Sequence, residues 1–240
     1  LVILCPTETR KTDLALQLAK KLRRELISAD SRQVYKGLDI GTGKLPNGQW
    51  RIDNGELKKK NGFWKIDGIK IWMYDVISPK KQYSVANYVK DAEKVIKDIL
   101  KRNKLPIIVG GTGLYLKALL EGLPNLAIPI DKKLRKKLER YSLEQLQKKL
   151  QVQDFDRWKK LNNSDQQNPR RLIRQIELIL MYGYIDTSND ISIIKDNFDV
   201  LKIGLTAPRE VLYKNIDLRV LSRMKQGMLE EAYALHKNGL

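Results

Sequence analysis

The sequence predicts an α/β fold, a parallel sheet with helices on both faces, from three observations. Short, largely apolar runs at residues 1–4, 25–28, 106–109 and 200–205 read as buried strands. Stretches of helical period follow or separate them. Leu14, Ala15, Leu18, Ala19 and Leu22 share one helix face, and Val85, Tyr88, Val89, Ala92, Val95, Ile96 and Ile99 share another. Finally, polar or glycine-rich turns at residues 5–12, 30–33 and 110–113 follow three of the strands, and ligands of such sheets bind beyond the carboxyl ends of the strands.

The first turn is Cys5-Pro6-Thr7-Glu8-Thr9-Arg10-Lys11-Thr12. Strand, loop, Lys-Thr and helix is the context of the phosphate-binding P-loop, G-x-x-x-x-G-K-[ST]. There, backbone N–H groups and a helix N-terminus cradle phosphate, the lysine adds a point charge and the hydroxyl ligates Mg²⁺. Here Cys5 and Arg10 replace the two glycines, so the loop taken alone also fits an ordinary solvated first turn.

The second strand leads into Asp30, a carboxylate in reach of whatever the loop holds. Residues 45–73 carry four turn dipeptides, Asn47-Gly48, Asn54-Gly55, Asn61-Gly62 and Asp67-Gly68. With Trp50, Ile52, Phe63, Trp64, Ile66, Ile69, Ile71 and Trp72 between them, they predict a small β-meander insertion. Lys58-Lys59-Lys60 falls at an exposed turn; a decorative insertion is favoured over an RNA-contacting flap. The third strand runs into Gly110-Gly111-Thr112-Gly113, which lets backbone come close to a ligand or another loop. Residues 131–182 read as helical, with a Ser142/Gln145 capping box. Residues 131–174 hold 14 Lys/Arg against 6 Asp/Glu, and Asn168-Pro169 marks a helix start just before Arg170, Arg171 and Arg174.

Composition narrows the chemistry. The 240 residues suffice for a substantial core. One cysteine excludes an internal disulfide and a multi-cysteine zinc site, and a single histidine, His236, excludes histidine triads and His-rich metal sites. Acid–base work near neutral pH then falls to a carboxylate, Tyr, Lys or solvent. With 46 Lys+Arg against 28 Asp+Glu, a formal charge of +18, the chain is expected to meet a polyanion. No run approaches ~18 uncharged apolar residues and no signal peptide is visible, which predicts a soluble, cytoplasmic protein without membrane contact; a monomer is expected. The start inside a strand and the end directly after a helix suggest a piece of a longer chain.

Four stretches together carry a resemblance. They are Asp30-Ser31-x-Gln33-Val34-Tyr35-x-Gly37-x-Asp39-Ile40-Gly41-Thr42; Gly110-Gly111-Thr112-Gly113-Leu114-Tyr115 with 117–123; Asn168-Pro169-Arg170-Arg171-x-Ile173-Arg174; and Arg209-Glu210-x-Leu212-Tyr213-x-x-Ile216-Asp217-x-Arg219-Val220 with Met224, Gly227, Glu230 and Glu231. In order along nearly the whole chain, they resemble the tRNA dimethylallyltransferases, also called tRNA isopentenyltransferases.

The resemblance implies a P-loop NTPase-like core over residues 1–44, 74–130 and 175–240 and a basic helical tRNA-binding insertion over 131–174; the meander over 45–73 is read from the turn dipeptides and stands as an insertion. The family ordinarily continues beyond Leu240. It implies transfer of a dimethylallyl group from dimethylallyl diphosphate to the N6 amine of the adenosine on the 3′ side of the anticodon, in the anticodon stem-loop of tRNA. Asp30 would be the general base. Thr12 would ligate Mg²⁺, and Lys11 with Cys5, Pro6, Thr7, Glu8, Thr9, Arg10 and Thr12 would hold the diphosphate, aided by Arg219. Asp30, Ser31, Arg32, Gln33 and Thr112 would hold the flipped adenosine. Arg135, Arg170, Arg171, Leu172, Ile173 and Arg174 would contact tRNA.

The chain departs from the family at Cys5, Glu8 and Arg10, at Arg32, at Asn215 where Arg is usual, and before Asp75 where histidine is usual. Backbone strain at Arg10 and the charge of Glu8 lead to an expectation of weakened diphosphate binding. Three other readings share parts of the pattern: an isopentenyltransferase acting on free adenine nucleotides, a P-loop nucleotide kinase, and a non-catalytic RNA-binding relative.

Overall fold

The computed structural model describes residues 1–4, 11–44, 57–126, 128–183, 194 and 197–240. These fall into two compact units, residues 1–123 with 191–240, and residues 124–190. The first unit begins with β1 (Val2–Leu4), α1 (Lys11–Leu22), β2 (Glu25–Ser28), β3 (Leu57–Lys60), β4 (Gly62–Ile66), β5 (Ile69–Tyr74), α2 (Val85–Lys101), β6 (Pro106–Gly110) and α3 (Gly113–Glu121). The second contains α4 (Lys132–Leu138), α5 (Leu143–Gln153), α6 (Phe155–Lys160), α7 (Asn163–Gln166) and α8 (Pro169–Tyr182). The chain then returns to the first unit for β7 (Lys202–Gly204), α9 (Arg209–Lys225) and α10 (Met228–Lys237).

The strands form one sheet in the order β3-β4-β5-β2-β6-β1-β7. From β5 to β7 all neighbours are parallel, and β3-β4-β5 are antiparallel. Alternation along each strand sends side chains to two cores. Val2, Ile27 and Ile108 face α2 and α3, with Tyr88, Ala92, Ile96, Leu116 and Leu119. Ile3, Leu26, Ile71, Ile107 and Val109 face α1, with Ala15, Leu16 and Ala19. Burying both faces is what makes the parallel strands read as continuous apolar runs. The connection from β1 through α1 to β2 steps over β6, so a crevice opens at the carboxyl ends of β1 and β6, where such folds bind ligands.

The predicted meander continues the main sheet, because β5 pairs with β4 on one edge and with β2 on the other. Its β4–β5 connection is a two-residue turn with Asp67 at φ 47° and Gly68 at φ 81°, the primed geometry that suits strand twist. Met73, at φ 70°, is an extra residue against β4, since Phe63 pairs with Trp72 and Gly62 with Tyr74. This bulge re-aims the chain into Asp75. The predicted turns at Asn47-Gly48 and Asn54-Gly55 lie outside the described residues.

The helical unit has its own core of Leu138, Leu146, Leu150, Leu172, Ile173 and Ile176. Ser142 and Gln145 make the reciprocal capping box that opens α5. Asn168 caps α8, accepting from the N–H of Arg170 at 3.1 Å. Among the described residues, no helix is long and apolar enough to cross a membrane.

Candidate active site

The ends of β2 and β6 are zipped together by backbone. The Ala29 N–H donates to Val109 O (2.8 Å), and the Thr112 N–H donates to Ala29 O (3.1 Å). Approach this close requires Gly110: a Cβ there would lie 2.2 Å from Ala29 O. Immediately beyond, the Ser31 N–H donates to the Thr112 hydroxyl at 3.0 Å. Asp30 Oδ1 accepts from the N–H groups of Arg32 (2.8 Å) and Gln33 (3.3 Å), an Asx turn that fixes the orientation of the carboxylate. The structure therefore places Asp30, Ser31, Gln33 and Thr112 next to one another.

Lys11 opens α1 across the crevice. A Cβ on Gly111 would stand 3.6 Å from its Nζ, so the lysine side chain passes over the glycine turn after β6. Cys5, Pro6, Thr7, Glu8, Thr9 and Arg10 lie outside the described residues. Thr12, in the first turn of α1, offers a hard hydroxyl oxygen suited to a Mg²⁺ that draws its other ligands from phosphate. Among the described residues, no group of three His, Cys, Asp or Glu could hold a metal without such a substrate. Arg219 is half-buried on α9, one turn before Arg223 and on the same face.

Tyrosines back the site. Tyr88 stacks on Tyr115 with centroids 4.1 Å apart and donates to Ser28 O at 3.2 Å. Burial, reinforced by neighbouring tyrosines and by Asp30, pushes the Tyr115 hydroxyl up to about 12 and raises Tyr88 as well. These phenols stay protonated at neutral pH.

The loop after Tyr35 is held from three directions that the sequence reading missed. Gln33 accepts from the Ser28 hydroxyl (2.7 Å) and donates through Nε2 to the carbonyls of Thr42 and Gly43, both at 3.2 Å. Lys44 is 0% exposed, and its Nζ donates to Tyr35 O (2.6 Å), Asp39 Oδ1 (2.9 Å) and Asp75 Oδ1 (2.5 Å). Trp64 Nε1 donates to the other oxygen of Asp75, and Lys59 to the other oxygen of Asp39. Burial works to raise the Asp39 carboxyl, but Lys59 and Lys44 outweigh it and hold it below its ordinary range. From the far end of the chain, Glu231 on α10 accepts from the N–H groups of Asp39 (2.8 Å), Ile40 (2.7 Å) and Gly41 (2.9 Å), while Arg223 donates to Gly41 O (2.9 Å). The only sequence signal for Glu231 was its place in the resemblance; its partners lie about 190 residues away.

In the helical unit, the expected RNA contacts divide. Glu177 is fully buried and takes two bonds from Arg135 (3.0 and 2.7 Å), one from Arg174 (2.6 Å) and one from the Asp131 N–H (2.7 Å). Burial favours its neutral form, but these donors outweigh it and hold the carboxyl below its usual range. Arg174 also donates to Asn125 O (3.0 Å) and Ile128 O (2.9 Å), and Arg171 pairs with Asp165. Leu172 and Ile173, grouped with the arginines in the sequence reading, are packed in the unit's core because they occupy the inward face of α8. Arg170 is exposed on the outward face.

A family model described as IPP transferase matches residues 33–240. The tRNA dimethylallyltransferase 2 of Treponema denticola is 38% identical over 239 residues, spanning 99% of this chain and 74% of that protein. The tRNA dimethylallyltransferase of Bacillus mycoides is 36% identical over 245 residues, spanning 100% of this chain and 71% of its own length. Among solved structures, the full-length tRNA isopentenylpyrophosphate transferase of Bacillus halodurans superposes with a TM-score of 0.61 at 32% identity, over 99% of this chain and 70% of that one. A eukaryotic dimethylallyltransferase acting on tRNA gives a TM-score of 0.77 at 27% identity, over 99% and 56%.

Proposed function

The chain belongs to the IPP transferase family, and from that we infer that it transfers a dimethylallyl group from dimethylallyl diphosphate to the N6 amine of the adenosine 3′-adjacent to the anticodon in tRNA. The observation that carries the reading to particular atoms is the Asp30 carboxylate. It is oriented by two backbone N–H groups beside Thr112, at the carboxyl end of the sheet on which Lys11 lies over the Gly111 turn.

In the transfer, the N6 lone pair forms a bond to C1 of the prenyl chain as the C1–O bond breaks, and the diphosphate leaves with that electron pair. The proton displaced from N6 goes to Asp30. An aromatic amine is a poor nucleophile, so a positioned carboxylate acts mainly as positive charge develops on nitrogen. Lys11 and the N-terminal N–H groups of α1 hold the departing charge. Thr12 would ligate Mg²⁺, which when bound adds positive charge beside the diphosphate. Thr112 and the segment of residues 30–33 flank the flipped base, and Arg219 adds charge for the leaving group. Arg135, Arg170, Arg171 and Arg174 belong to a tRNA-binding helical unit, in which Arg170 and Arg171 are exposed and Arg135 and Arg174 shape the surface around them.

The test is mass spectrometry of nucleosides from tRNA incubated with the protein, dimethylallyl diphosphate and Mg²⁺, with AMP as a parallel acceptor. Prenylated adenosine from tRNA is expected; product from AMP alone would move the reading to free nucleotides. Asp30→Ala should cut turnover by ~10²–10⁴ and leave tRNA affinity nearly intact. An equal loss of binding and rate would make Asp30 a positioning residue instead.

A further inference from the structure

The face of β3-β4-β5 turned away from the α1-side core carries a cluster of lysines beside two aromatics, of which Trp72 also packs against the α2-side core. Alternation sends Trp64, Ile66, Ile69 and Ile71 inward, where all are buried. The register aligns the outward residues in two rows across three strands. One row is Lys58, Lys65 and Lys70; the other is Lys60, Phe63 and Trp72. Like charges directly opposite one another destabilise a sheet, and here Lys65 stands opposite a lysine on both sides. Protection of a sheet edge against unwanted pairing accounts for lysines on the outermost strand β3. It does not account for Lys65 and Lys70, which lie on interior strands.

The aromatic row sits beside the charge. Phe63 and Trp72 pack at 4.8 Å between centroids, and Lys70 Nζ lies 5.3 and 5.1 Å from their rings. The carboxylate beside Trp72, Glu25, is already engaged by Arg102, Lys104 and the Trp72 indole N–H. Half-buried aromatics among lysines, with Trp72 packed on one side against the α2-side core, match the chemistry by which sheets hold RNA, with cations on phosphates and rings against sugars and bases.

We propose that this face is an RNA-contacting surface that binds the sugar-phosphate backbone of the tRNA substrate through Lys60, Lys65 and Lys70, with the Phe63–Trp72 pair beside them. The proposal rests on the tRNA reading above. A bound polyanion would offset the like-charge pairing of Lys65 with Lys70.

Lys65→Glu separates this role from a structural one. It places a carboxylate opposite Lys58 and Lys70, so the urea midpoint should hold or rise. Affinity for tRNA should fall, with the KM for tRNA raised roughly tenfold and the KM for dimethylallyl diphosphate unchanged. In a second variant, Lys60→Gln/Lys65→Gln/Lys70→Gln, the slope of log affinity against log salt should flatten by up to ~0.9 for each phosphate that is no longer neutralised. Unchanged tRNA affinity in Lys65→Glu, or an unchanged salt slope in the triple variant, overturns the proposal. If the wild type binds tRNA but does not prenylate it, the activity fails while these binding measurements still decide the surface.

Discussion

Glu25 opens β2 buried, 4% exposed, where an unpaired carboxylate would be protonated or destabilising. Burial pushes its pKa up, but donors from Arg102, Trp72 and Lys104 outweigh that and bring it down from 4.5 to about 2. One residue thereby ties the start of β2 to β5, to the end of α2 and to the approach to β6. Because the folded pKa is depressed, the stabilisation is fully present above the unfolded value of 4.5 and is lost as pH falls towards 2. The shift corresponds to roughly 3 kcal/mol. Urea unfolding followed between pH 6 and pH 2.5 should show this loss in the wild type, and Glu25→Gln should remove that part of the pH dependence. A variant that keeps the full acid-side slope would assign the loss to other carboxylates.

The α9–α10 pair acts on the site through the loop it grips. Three N–H groups converge on Glu231, and the same loop is held by Gln33, whose own N–H helps orient Asp30. Glu231→Ala should leave those three amides to water, speed their hydrogen exchange, and lower kcat/KM by roughly tenfold or more, in line with ~1.5–3 kcal/mol for a bond to a charged group. Unchanged exchange of the Asp39–Gly41 amides would show that the loop is rigid without its clamp. Elements of this kind mark where sequence reading stops. β1, β2 and β6, the helices α1 and α2, and the Ser142 and Asn168 caps were legible because local period and cap chemistry encode them. Asp30 and Thr112 were legible as turn residues after apolar strands. The parallel pairing of β5 with β2 was not, since alternation within residues 62–74 reads the same in a detached meander as in a sheet extension. Nor was Lys44, whose burial depends on Asp39 and Asp75 meeting it, the second from 31 residues away.

Across the molecule, the formal charge of +18 favours a polyanion. The cations of the helical unit nevertheless divide between those spent within the protein and those facing solvent. Arg174 donates to Glu177 and to the carbonyls of Asn125 and Ile128, so it fastens α8 to the segment before α4. Removing it leaves a fully buried carboxylate short of one partner, although Arg135 and the Asp131 N–H remain. Arg174→Gln should therefore lower the stability of this unit by about 1–3 kcal/mol in urea unfolding, and any loss of tRNA binding should follow from that. Arg170 only begins α8, with its side chain exposed. Arg170→Gln should leave the urea midpoint unchanged, weaken tRNA binding, and flatten the salt dependence by up to ~0.9 log unit. If the slope stays at the wild-type value, Arg170 is a solvated helix charge. If Arg174→Gln instead flattens the slope at unchanged stability, its guanidinium reaches phosphate in the complex and its internal bonds are secondary.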